Sequence, residues 1–72
     1  METQEIINRI SEANKLARRS SLTLVPVMQA LNDYNTPDEI RQKNMHLADS
    51  LIKFIQDSED LQTMLEKQKE LV

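Results

Sequence analysis

Residues 35–65 read "NTPDEIRQKNMHLADSLIKFIQDSEDLQTML". The first letters are a helix start. Thr36 is a good N-cap, Pro37 suits the first helical position, and Glu39 stands where a capping box needs an acid. Asp38 and Glu39 also complement the positive end of the helix dipole. A helix is therefore predicted from Pro37 to at least Gln56.

Its apolar pattern carries the argument further. Ile40, Asn44, Leu47, Leu51, Phe54, Ser58, Leu61 and Leu65 alternate in four- and three-residue steps, the spacing of a coiled-coil seam. Met45, Ala48, Ile52 and Ile55 form a second stripe beside the first. Together the stripes make the helix apolar over more than half its circumference. One short partner helix cannot cover that much, so the pattern predicts association with a second chain. Asn44, polar at a core position, is the expected register-setting residue.

"DSED", residues 57–60, interrupts the reading. Asp57 or Ser58 can cap a new helix with acids in its first turn, and a kink or break near Ser58 is expected. The alternative is one helix of about 34 residues, about 50 Å long, which is long for a compact chain of this size.

Upstream, residues 3–18 read as a first helix, with Ile6, Ile10, Ala13 and Ala17 on one face and Ile7 and Leu16 at its flanks. Ser20 and Ser21 mark a break. A second helix is expected from about Thr23, as N-cap, to Tyr34, with Pro26 in its first turn, where a missing N–H costs little. In that reading Leu24, Val27, Met28, Leu31 and Tyr34 share a face. The apolar run "SSLTLVPVMQAL" (20–31) is too short to span a bilayer, which needs about 20 apolar residues. It also lies too far along the chain for an ordinary secretion signal.

Composition excludes much chemistry. The 72 residues contain no cysteine, so neither disulfides nor thiolate metal sites are open to the chain. Glycine is also absent, which removes the phosphate-cradling loops of P-loop and dinucleotide-binding folds. His46 stands alone, so two-histidine zinc sites are ruled out. No serine lies in a nucleophile elbow. No catalytic residue, metal or cofactor is expected, and the protein is read as not an enzyme. A net charge of −3 weighs against broad contact with nucleic acid or anionic membrane.

Lys15, Arg18 and Arg19 form the best candidate for contact with nucleic acid, but the same cations suit the C-terminal end of a helix. Residues 27–48 have the outline of a helix-turn-helix. Asp38 and Glu39, however, would open the recognition helix where phosphate contacts should begin.

The expectation is a single all-α domain over residues 1–72, a small three- or four-helix hairpin-like bundle that forms a homodimer. Its centre is expected at Ile40, Leu47, Leu51, Phe54 and Ile55. The partner interface adds Asn44, Ile52, Leu61, Leu65 and Met28. The function expected is non-catalytic: a cytoplasmic inhibitor, adaptor or chaperone-like regulator that binds another protein. A helix-turn-helix DNA regulator and a structural subunit of a larger assembly are the alternatives.

Overall fold

The computed structural model describes residues 1–33 and 35–71, and the fold in them is one helical hairpin. Helix α1 runs Thr3–Asp33 and helix α2 runs Asp38–Glu70, packed antiparallel. The described residues contain no strand. At 1.5 Å per residue each helix is about 47–50 Å long, and the molecule measures 56 × 15 × 15 Å. Its radius of gyration is 16.5 Å, against about 11 Å for a compact domain of this length.

Two long helices replace the three or four expected. The break at Ser20 and Ser21 is absent, and α1 passes straight through Pro26. Thr23 is no N-cap: its hydroxyl donates back to the Arg19 carbonyl at 2.9 Å from within the helix. Pro26 is exposed. There its ring costs α1 a hydrogen bond to the Leu22 carbonyl, but water can reach that oxygen. The expected end of the second helix at Tyr34 lies outside the described residues.

The break near Ser58 is absent too. Residues 57–60 lie inside α2, and Ser58 is buried rather than capping a helix. The expectation that a helix of this length would not fit fails because the molecule is a slim rod, with room for both helices side by side.

The start of α2 falls within one residue of its predicted place, but its capping differs. Pro37 is the N-cap and no side chain caps it. The Thr36 hydroxyl instead donates to the Leu31 carbonyl at 2.8 Å, closing off the end of α1. Asn35 takes the left-handed conformation at φ 49°. Asparagine tolerates that region better than most residues, and it does here what glycine usually does after a helix. Arg41 pairs with Asp38 in the first turn of α2.

The seam between the helices runs in unbroken three- and four-residue steps. On α1 it is Ile7, Ile10, Asn14, Ala17, Ser21, Leu24, Met28 and Leu31. On α2 it is Arg41, Asn44, Ala48, Leu51, Ile55, Ser58, Gln62 and Leu65. All of these are buried or half-buried.

Candidate functional site

One polar layer sets the register of the hairpin. The Asn14 amide donates to Ser58 Oγ at 2.7 Å and to the Ile55 carbonyl at 3.2 Å. Arg18 Nε donates to Asn14 Oδ1 at 2.8 Å, and Ser58 Oγ donates to the Ile55 carbonyl at 2.9 Å. Asn14 and Ser58 are both buried, and no buried side-chain polar atom among the described residues lacks a partner. Arg18 also pairs with Glu59 across the hairpin. Counting outward from Asn14 and Ser58 in antiparallel register sets Ile7 opposite Leu65, Ala17 opposite Ile55, Leu24 opposite Ala48 and Met28 opposite Asn44.

This seam is a thin core. Among the described residues, Ile7 and Ala17 are its only buried apolar residues, and neither is wholly shielded from solvent. Asn14, Ser21, Arg41, Asn44, Ser58 and Gln62 occupy positions that a stronger coiled coil fills with Leu or Ile.

The missing apolar side chains stand one position to the side. Ile40, Leu47, Phe54 and Leu61 recur every seven residues along α2, next to the seam, and each is 45–50% exposed. On α1 the corresponding row is Ile6, Ala13, Ser20 and Val27. In an antiparallel pair the two rows border the same side of the hairpin, and together they make one long apolar face. Two apolar grooves mark it, on either side of Leu47. One of about 430 Å³ is lined by residues including Leu31, Ile40, Asn44 and Ser50. The other, of about 490 Å³, is lined by Leu16, Ser20, Thr23, Leu24 and Leu51 among others.

Area gives the scale. The chain exposes 6002 Å², about 1,400 Å² more than the roughly 4,600 Å² of a compact monomer of its mass. A standard protein–protein interface covers about 800 Å² on each partner.

The residues expected at an interface separate into groups. Asn44, Leu51, Ile55, Leu65 and Met28 lie half-buried on the hairpin's own seam. Ile40, Leu47, Phe54 and Leu61 form the exposed row. Ile52 is exposed on the other side of the seam, as are Met45 and Val25. The expected common centre thus divides: Leu51 and Ile55 face α1, while Ile40, Leu47 and Phe54 are uncovered within the chain. Sequence reasoning passed over Asn14 and Ser58 as partners and assigned register to Asn44. The available signal was the three-four spacing that runs from Ile7 to Leu31 through Asn14 and from Arg41 to Leu65 through Ser58.

The three basic residues of α1 are not equivalent. Arg18 is engaged with Asn14 and Glu59, whereas Lys15 and Arg19 are exposed beside Glu12 and Leu16. Of residues 27–48, the stretch with the helix-turn-helix outline, 27–33 and 38–48 lie in two long antiparallel helices rather than short ones crossing at a steep angle. Exposed His46 stands alone, and no cluster of potential metal ligands occurs among the described residues. No helix among them is long and apolar enough to cross a membrane. No known protein family, curated protein or solved structure matches the chain.

Proposed function

We propose that the protein is a non-catalytic interaction module, an inhibitor, adaptor or chaperone-like regulator, that works by burying the apolar face of its hairpin against another protein surface. The row Ile40, Leu47, Phe54 and Leu61 carries this reading. Large apolar side chains at seven-residue spacing, half exposed beside a polar-rich seam, match the anchor pattern by which an amphipathic helix docks. Soluble monomers rarely leave so long an apolar strip uncovered. Burial of the strip supplies the affinity, and the charged residues along its edges supply selectivity.

The test combines sedimentation over a concentration series with binding of an environment-sensitive apolar dye. The wild-type chain is expected to associate, or to bind dye as a monomer. A Leu47→Lys, Phe54→Lys double variant, changed at exposed positions only, is expected to lose either property while circular dichroism still reports a helical hairpin. A folded wild-type chain that neither associates nor binds dye at high micromolar concentration refutes the reading.

A further inference from the structure

We propose that the occupant of this face is a second copy of the chain, joined by a two-fold axis that passes α2 between Ser50 and Leu51 so that the two α2 helices lie antiparallel. The inference rests on the docking reading and names its partner. A two-fold interface must be complementary to itself, and α2 is. About the midpoint between Ser50 and Leu51, Leu47 falls opposite Phe54 of the second copy and Ile40 opposite its Leu61, so the four large apolar residues meet one another in pairs. In the same register Asp57 of the second copy falls within one residue of the point opposite Lys43, inside the reach of the lysine side chain, and this occurs twice by symmetry. Lys43, Ser50 and Asp57 are all exposed and line the same side of α2 as the apolar row.

The face of α1 fits the same axis. In the hairpin, that level of α2 corresponds to residues 21–22 on α1, and the residues of this face nearest to it, Ser20 and Thr23, are small enough to let two copies approach. At a distance from the axis, Leu16 falls opposite Val27 of the second copy. The grooves on either side of Leu47 then receive apolar side chains from the second copy. The product is a four-helix bundle. Its extra buried surface is drawn from the roughly 1,400 Å² by which one chain exceeds a compact monomer, enough for a standard interface with its share of about 800 Å² per partner.

The chain has no native cysteine, so single cysteines report unambiguously. Ser50→Cys places two thiols across the axis and is expected to form an interchain disulfide readily under mild oxidation, since facing helices bring such positions within bonding range. Asp49→Cys, at the same height but turned away from the face, is the control and is expected to stay largely unlinked. In sedimentation, Lys43→Asp and Asp57→Lys are each expected to weaken association about tenfold, because each sets like charges across the axis. The combined swap is expected to recover most of the loss.

A dimer in which Ser50→Cys links no better than Asp49→Cys, or in which the combined swap recovers nothing, overturns this pairing. A folded monomer at high micromolar concentration that still binds apolar dye also overturns it, leaving the docking reading intact with a different protein as occupant. A folded monomer that binds no dye removes both.

Discussion

The Asn14–Ser58 layer yields a quantitative test of how the hairpin is held in register. Replacing Asn14 by Ala removes its bonds to Ser58 Oγ and the Ile55 carbonyl and its acceptance from Arg18. Arg18 lies largely in solvent and keeps Glu59, so its loss counts for little. Ser58 keeps its donation to the Ile55 carbonyl, so no buried donor is orphaned there. What remains is loss of the cross-helix bonds plus a small cavity, about 2 kcal/mol in all. Ser58→Ala leaves one buried Asn14 N–H without an acceptor, which costs about 1–2 kcal/mol. In the double variant the orphaned N–H is gone, so the two costs are not additive, and the coupling is expected at about 1 kcal/mol. The assay is thermal and urea unfolding of all four proteins by circular dichroism at one fixed concentration, because any association makes stability concentration-dependent. In a domain of this size 1 kcal/mol moves Tm by about 4–8 °C. A coupling below about 0.3 kcal/mol, within the usual scatter for independent sites, would refute the claim that this pair fixes the register.

Other outcomes follow from single residues. Pro26→Ala restores an amide donor inside α1 at an exposed position and should raise stability by about 1–3 kcal/mol, read as a higher urea midpoint with unchanged slope. Asn35→Val forces a β-branched residue into the left-handed region and should lower stability by about 1–2 kcal/mol, whereas Asn35→Gly should be neutral or mildly stabilising in the same melts. Asn44→Leu, on the seam opposite Met28, should raise Tm while broadening the range of oligomers seen in sedimentation. A lower Tm there would mean that the Asn44 amide is well satisfied where it stands.

The helical class and the start of α2 are legible because they rest on local chemistry, namely composition, the Pro37 signal and the acids that follow it. The continuity of α2 is equally written in its unbroken heptad phase, and the acids at 57–60 only resemble a cap. The course of α1 is harder to see. Ser20, Ser21 and Pro26 are all local stop signals, and a proline inside a helix costs about 3 kcal/mol by propensity alone. Packing overrides them. Ser21 is a small seam residue, and Pro26 stands on the outer surface, where the missing bond is left to water.

The site divides along the same line. The row Ile40, Leu47, Phe54 and Leu61 is plain in the sequence because every member is large and apolar. The seam beside it is disguised by Asn14, Arg41 and Gln62, residues whose burial becomes visible only once their partners across the hairpin are known.

The register has a kinetic consequence. Each residue of α1 meets one of α2 equally far from the turn, so the chain length separating partners grows steadily toward the free ends. Leu31 and Arg41 meet with a short loop between them, while Ile7 and Leu65 enclose most of the chain. Zippering from the turn at Asn35 lets each new contact close only slightly more loop than the last, the cheapest order in entropy. Opening runs the other way. The ends should part first, and amide exchange should slow along both helices from Thr3 and Glu70 inward. The Asn14–Ser58 layer lies partway along that path and acts as a latch: fraying that begins at the tips must break a buried polar cluster before it can reach the stretch carrying Leu47 and Phe54.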